Sequence, residues 1–267
     1  MKTIRAMKGP LLVVILVGLI LSLSSCHIVD PDWDRDRDSA RNTFSYEIEV
    51  EEQEAFKIEG INGDIDIRGT NDDTVLIWGE RIVRADNRDD AEWYLDQLRV
   101  RVSTYEDEIY VRTDQPRNIE NVDFEVIYHV EIPDSWRVNV DHVNGDVLVK
   151  TLQNRVSVDL TNGDIGLDEI YGQVWTELVN GDVDADVILS DGDLCRIGVT
   201  NGDIRLAIPR DTSAELYAQV TNGEIMLTNL ELSDMSSSRQ FVSGILGDGD
   251  GLVDLRTTNG DIEVRGY

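Results

Sequence analysis

Asn-Gly followed by Asp or Glu occurs seven times in this 267-residue chain, starting at Asn62, Asn144, Asn162, Asn180, Asn201, Asn222 and Asn259. The intervals are 82, 18, 18, 21, 21 and 37 residues. A unit of about 20 residues cannot bury an apolar face alone, so its copies must stack on one another. Asn-Gly is favoured where successive residues need positive φ, and each copy therefore marks a turn. The central five copies form a continuous array, and 37 is close to two periods.

The residues after each turn alternate in one phase: Ile65 and Ile67, Val147 and Val149, Ile165 and Leu167, Val183 and Ala185, Ile204 and Leu206, Ile225 and Leu227, Ile262 and Val264. Asp66, Asp184, Arg205 and Glu263 sit between them, the period-2 signature of a strand with one buried face. Positions six, four and two before each Asn alternate likewise, as in Val156, Val158 and Leu160, then Val174, Thr176 and Leu178, then Cys195, Ile197 and Val199, then Leu216, Ala218 and Val220. Each unit is thus two short inward-facing strands around a turn. An antiparallel meander and a β-solenoid both fit such a unit. Recurrence of the same slots in the same phase favours the solenoid, because stacking equivalent residues requires that recurrence and a meander does not.

The expected fold is therefore an all-β, single-chain β-solenoid with two strands per 18–21-residue rung. The stretch between the first two copies departs from the pattern. Asp89 or Asp90 is placed to cap a short helix carrying Ala91, Tyr94, Leu95 and Leu98 at helical spacing. Strands are expected to follow at Val100–Ser103, Ile109–Thr113 and Phe124–Ile132, and the segment reads as a cap on one end of the stack.

The chain begins with Lys2, Arg5 and Lys8 and a 13-residue apolar run from Leu11 to Leu23. That run is short for a membrane span, which needs about 20 residues, and has the layout of a secretory signal over residues 1–25. Leu23-Ser24-Ser25-Cys26 resembles the bacterial lipoprotein cleavage box. The resemblance implies diacylglycerol on the Cys26 sulfur and a further acyl chain, such as palmitate, on its amine. Several chains give lasting membrane anchorage. His27, in place of an Asp after the Cys, implies passage to the outer membrane in a Gram-negative cell. Residues 26–43 read as an acidic tether. Asp30, Asp32, Asp34 and Asp36 are not an EF-hand loop, since Arg35 and Arg41 stand where Gly and Glu are needed.

The formal charge is −29, from 53 acidic and 24 basic residues, and signal cleavage would take it to −32. Such a chain lacks the clustered cations that nucleic acid requires. It should also stand away from anionic headgroups.

The repeats HVNGDVLV, LTNGDIGL, LVNGDVDA, VTNGDIRL, VTNGEIML and TTNGDIEV resemble those of the bacterial putative adhesin domain family of unknown function, β-solenoids related to auto-transporter adhesin head domains. The likeness runs over residues 44–267 and is densest over 138–267. It implies an envelope adhesion or interaction module.

The turn acids Asp64, Asp146, Asp164, Asp182, Asp203, Glu224 and Asp261 should form a column at about 4.8 Å spacing. Such a column is either a site for a cation, with calcium the natural candidate, or a set of hydrogen-bond acceptors within the turns. Gly247-Asp248-Gly249-Asp250-Gly251 reads as a flexible insertion. Cys195 occupies an inward slot and reads as an inert buried thiol. His27, His129 and His142 are the histidines of the chain, and none has a sequence partner that makes a catalytic motif. The reading is a non-catalytic adhesion, interaction or scaffold module, anchored to the membrane by acyl chains and facing an envelope protein or polysaccharide. A polysaccharide-active envelope enzyme is the first alternative, and an envelope-stress sensing module is the second.

Overall fold

The computed structural model describes residues 37–267; the expected signal peptide, Cys26 and the first part of the expected tether lie outside the described residues. The N-terminal part holds β1 (Asp38–Glu49), β2 (Ala55–Glu59), β3 (Ile65–Thr70) and β4 (Thr74–Ala85). It continues with α1 (Arg88–Leu95), β5 (Arg99–Thr104), β6 (Glu108–Asp114) and β7 (Asp123–Pro133). Four regular rungs follow: β8 (Arg137–Asn144) with β9 (Val147–Leu152), β10 (Val156–Asn162) with β11 (Ile165–Tyr171), β12 (Val174–Asn180) with β13 (Val183–Ile188), and β14 (Leu194–Asn201) with β15 (Ile204–Ile208). The chain closes with β16 (Ala214–Asn222), β17 (Ile225–Thr228), β18 (Ser233–Ser237), β19 (Phe241–Leu246), β20 (Gly251–Asn259) and β21 (Ile262–Gly266).

The two strands of a rung do not pair with each other. The strand before each Asn-Gly joins one sheet and the strand after it joins a second, and both pair in parallel with the next rung. Equivalent residues sit side by side: Val156 beside Val174, Leu160 beside Leu178, Asn162 beside Asn180. This is the β-solenoid and not the meander. Only the glycine of each Asn-Gly takes positive φ, from 105° at Gly63 to 154° at Gly223, while every Asn stays outside that region. The expectation of two left-handed residues fails because the turn is a corner between sheets and not a hairpin. At Gly181 (φ 135°) a side chain would also collide with the carbonyl of Gly163 one rung below, so close approach of the rungs requires glycine there.

The inward slots form one apolar core between the sheets. Val156, Val158, Val174, Cys195, Ile197, Leu216 and Ala218 are fully buried, as are Ile67, Val149, Val183, Ile204 and Ile262. At roughly 1.5–3 kcal/mol for each large aliphatic side chain, this repeated burial is the main favourable term holding the rungs together.

The spatial order of rungs departs from chain order at both ends. The first sheet runs β1-β4-β7-β3-β9-β11-β13-β15-β21-β17, and the second β18-β19-β16-β20-β14-β12-β10-β8-β2-β6-β5. The last rung, β20 with β21, lies between the rungs of β14–β15 and β16–β17. The 37-residue interval is therefore not two stacked periods. The chain steps one rung too far, returns through the hairpin β18–β19, and fills the gap it left. At the other end β6 and β7 act as the rung below β2 and β3, so the 82-residue interval also conceals parallel pairing.

The N-terminal segment caps the stack as expected, with β4 and β1 added antiparallel beyond β7 and β5 beyond β6. β1 already begins at Asp38, six residues inside the stretch read as tether. As an exposed edge strand matched to all twelve residues of β4, it needs no apolar alternation, and only Ala40 in its first half is buried. The helix is capped by Asn87, whose side chain accepts the Asp90 N–H at 2.9 Å. Asp89 and Asp90 instead lie in the first turn, where their charge suits the helix dipole. Ala91 is the buried helix residue, and Leu98 is buried just beyond the helix.

Candidate functional site

The turns stack into two side-chain ladders. Each Asn Nδ2 donates to the Asn Oδ1 of the preceding rung: Asn144 to Asn62 and Asn162 to Asn144 at 2.7 Å, then Asn180 to Asn162, Asn201 to Asn180, Asn259 to Asn201 and Asn222 to Asn259 at 2.8 Å. Beside them each acid's backbone N–H donates to the carboxylate one rung below. The series runs Asp146 to Asp64 (3.0 Å), Asp164 to Asp146 (2.9 Å), Asp182 to Asp164 (2.8 Å), Asp203 to Asp182 (2.9 Å), Asp261 to Asp203 (2.9 Å) and Glu224 to Asp261 (2.8 Å).

All seven predicted acids are thus brought into one column, with Asp261 ahead of Glu224. One oxygen of each of the first six is engaged by the next rung and not by its own turn. The backbone N–H of Asp203, with help from Arg205, holds the Asp182 carboxyl below its usual range. Arg205 bridges Asp182 (3.1 Å) and Asp203 (3.0 Å), which relieves repulsion at that point of the column. Among the described residues no group of three or more His, Cys, Asp or Glu side chains has the geometry of a metal cage.

A second acidic row escaped the sequence reading. Glu59, Asp141, Asp159 and Glu177 each stand three residues before an Asn of the ladder and are register neighbours on the outer face of the second sheet. That fixed phase was a visible signal, hidden among the many outward acids. They line a groove of about 620 Å³ that runs along the stack, with Ile61, Val143 and Val179 on its other side and Arg112 and Arg117 at one end.

Lys57 contacts Glu59 at 2.8 Å and Asp141 at 3.4 Å. The hydrogen bonds from Lys57 and from the Tyr110 hydroxyl (2.6 Å) hold Glu59 below the usual carboxylate range. Among the described residues no such cation acts on Asp159. Burial, then the neighbouring Asp141 charge, raises its pKa. The row therefore pairs an ionised carboxylate with one that binds a proton more readily, a combination suited to cations, to sugar hydroxyls or to proton transfer.

His142 underlies this groove as a buried residue, 4% exposed. Its ring fills space left by Gly60 in the same slot of the preceding rung, where any side chain would strike the imidazole. Burial lowers its pKa. Backbone groups of Gly63, Asn144 and Gly60 pull weakly the other way, but none is well directed at a ring nitrogen.

The other candidates lie apart. Cys195 is fully buried and its thiol is pushed up to about 12 by that burial, as expected of an inert thiol. His129 stacks on Trp78 with centroids 5.5 Å apart, on the outer face of the first sheet. The Gly247–Gly251 segment is better organised than its composition suggests, because the Asp248 and Asp250 N–H groups donate to Ser213 Oγ at 3.1 and 3.2 Å. Near it Asp254, 5% exposed, pairs with Arg196 and Arg256, and Arg196 lies over the Trp175 ring at 4.9 Å.

No curated protein matches the chain. Among solved structures it is similar to a putative cell adhesion protein from Clostridium sporogenes, at 10% identity over 85% of this chain and 100% of that one, with a TM-score of 0.47. It is also similar to a putative adhesin from Bacteroides fragilis, at 11% identity over 84% of this chain and 97% of that one, with a TM-score of 0.31. Residues 40–265 match the family described as Toastrack DUF4097. With that match spanning nearly all of the stacked rungs and the repeated Asn-Gly-Asp corners, the chain belongs to the Toastrack DUF4097 family.

Proposed function

We propose that the protein is a lipid-anchored, envelope-exposed platform that acts as a non-catalytic adhesion or interaction module. The observation that supports this most directly is the use of the repeated acids. Six of the seven turn carboxylates hold the next rung by hydrogen bonds, so the repeat builds a stiff rod and leaves its outer faces for contact. The groove along Glu59, Asp141, Asp159 and Glu177 suits an extended envelope partner, a basic protein segment or a polysaccharide. The relatives named as adhesins agree with a role of this kind, and the Leu23-Ser24-Ser25-Cys26 box supplies the anchor. Calcium remains a proposal for the unengaged oxygens of the turn column.

Capture of a specific envelope component by the soluble domain, lost when Asp141 and Glu177 are changed to Asn and Gln, is the expected result. Equal capture by that variant would refute the groove as the contact. Cys26→Ser should move the protein out of the membrane fraction; continued sedimentation with membranes would refute lipid anchorage.

One observation favours a second reading, a polysaccharide-active enzyme. Asp159, whose pKa is raised by burial and by the neighbouring Asp141 charge, stands beside Asp141 in an open groove, and glycosidases use a carboxyl of raised pKa next to a second carboxylate. New reducing or unsaturated ends on incubation with cell-wall fractions, absent with Asp159→Asn, would establish it and displace the non-catalytic reading.

A further inference from the structure

The two ends of the Asn-Gly-Asp ladder are not alike. At the N-terminal end β7 completes it: Asn62 Nδ2 donates to the Phe124 carbonyl (2.9 Å), and the N–H groups of Val126 (2.8 Å) and Tyr128 (2.9 Å) donate to the Asn62 and Asp64 carbonyls. At the C-terminal end the second sheet is also closed. β19 pairs with β16 from Ala214 to Gln219, and Gln240 carries the cover on to Val220 and Thr221. That cover stops one residue short of Asn222. Beyond β17, among the described residues, the first sheet has no further strand.

An interior rung shows what is left unfinished. Gly202 and Ile204 donate their N–H groups to the Asn259 and Asp261 carbonyls at 2.9 Å, while the Asn201 and Asp203 side chains accept from Asn259 Nδ2 (2.8 Å) and the Asp261 N–H (2.9 Å). The matching groups at the last rung are the Gly223 and Ile225 N–H donors and the Asn222 and Glu224 side-chain acceptors, all facing past the sheet. Because donors alternate along a parallel strand, the Leu227 N–H points the same way. The core is also less covered here, with Leu230 and Leu232 packed beside it. Ile225 and Leu227 are only half-buried, whereas Ile262 and Val264 beside them are fully buried.

We propose that this open end is a strand-docking site, which takes an extended segment of a partner polypeptide running parallel to β17, with an amide donor over Asn222 and Glu224 and apolar residues over Ile225 and Leu227. Such strand addition is a common mode of peptide recognition, and an unprotected edge is otherwise a liability. A second copy of this chain is the poorer occupant. Its ladder ends at β7, and the edge strand beyond is β1, which offers no Asn-Gly-Asp corner to continue it and belongs to a strongly acidic chain. Tail-to-tail pairing would bring Glu224, Glu231 and Asp234 of two strongly acidic chains together. A short extended segment of low net charge meets neither obstacle, because it brings no second acidic domain with it. The inference rests on the interaction-module reading and names a contact surface for it.

The test uses the full chain in detergent and a blocked heptapeptide with the sequence of residues 259–265, Asn-Gly-Asp-Ile-Glu-Val-Arg, which docks on an equivalent ladder end inside the molecule. Saturable binding by fluorescence anisotropy is expected. N-methylation of the peptide Glu, whose N–H would face β17, should weaken it at least tenfold, whereas N-methylation of the peptide Ile, whose N–H faces away, should not. Leu227→Pro removes an outward donor without touching the β21 ladder and should have the same effect as the first modification, with its melting curve checked. No saturable binding up to millimolar peptide, or equal loss from both N-methylations, would overturn the proposal. A mass doubling of the chain that Leu227→Pro abolishes would do so as well, by making a second copy the occupant. Failure of the peptide while envelope capture through the groove succeeds would remove this edge and leave the interaction-module reading standing.

Discussion

Replacing Asp164 separates the two roles of the turn column, ladder acceptor and bare charge. Its carboxylate accepts the Asp182 N–H at 2.8 Å, and its own N–H donates to Asp146. Neighbouring charges one rung away, about 4.8 Å, repel by about 0.9 kcal/mol each at the dielectric of water. The side chain is exposed and salt is present, so a relief of about 1 kcal/mol for two neighbours is reasonable. Asp164→Asn keeps an acceptor oxygen but exchanges a charge-assisted hydrogen bond of about 1.5–3 kcal/mol for a neutral one of about 0.5–1.5. The two changes nearly cancel, and stability should stay within about 0.5 kcal/mol of the parent. Asp164→Ala gains the same relief and loses the acceptor altogether, so it should fall below Asp164→Asn by about 0.5–1.5 kcal/mol. Urea unfolding is the appropriate assay, since guanidinium would screen the charges. Equal midpoints for the two variants would show that the ladder hydrogen bond contributes nothing, and the structural account of the column would fail. Millimolar calcium that stabilises the parent, and much less so Asp164→Asn, would show the cation role beside it.

Gly181→Ala places a side chain at φ 135° against the Gly163 carbonyl and should cost about 1–3 kcal/mol from backbone strain alone; a melting temperature unchanged within a degree would contradict the stacked corner. The folded-state pKa of His142 lies below its ordinary value, so the unfolded chain binds the extra proton. Stability should fall as pH drops below about 6.5, and His142→Leu should flatten that slope between pH 7 and 5; an unaltered slope would refute it. Asp159 has the opposite sign, with a raised pKa, and Asp159→Asn should stabilise the protein slightly at pH 7, by less than about 1 kcal/mol after solvent screening. Cys195, with its thiol pushed up to about 12, should react with a thiol reagent only after unfolding, which absorbance of the released chromophore reports; prompt reaction of the native protein would contradict its burial.

The groove shows where legibility ended. Glu59, Asp141, Asp159 and Glu177 occupy one phase of the repeat as regularly as the turn acids do, but outward positions are polar in every rung, so nothing in their residue type marked them. Their grouping became apparent only when rungs 82 residues apart, those of Glu59 and Asp141, proved to be neighbours. The helix cap was missed by two or three residues because Asn87, Asp89 and Asp90 are all competent caps, and only the chain's exit from β4 selects among them.

By itself the amino-acid sequence determined the rung. Alternation set which side chains point inward, and the glycine of each corner set where the chain passes from one sheet to the other. Both are local consequences of the pleat and of positive φ. The tertiary structure alone decided who neighbours whom. Every rung presents the same ladder of Asn, Gly and Asp groups, so any rung can stack on any other, and local chemistry cannot rank them. Closing the ends does. β6 and β7 occupy the lower face of the first rung, the hairpin β18–β19 returns the chain, and β20 with β21 fills the gap before the end, leaving β17 as the edge of the first sheet at the C-terminal end of the ladder.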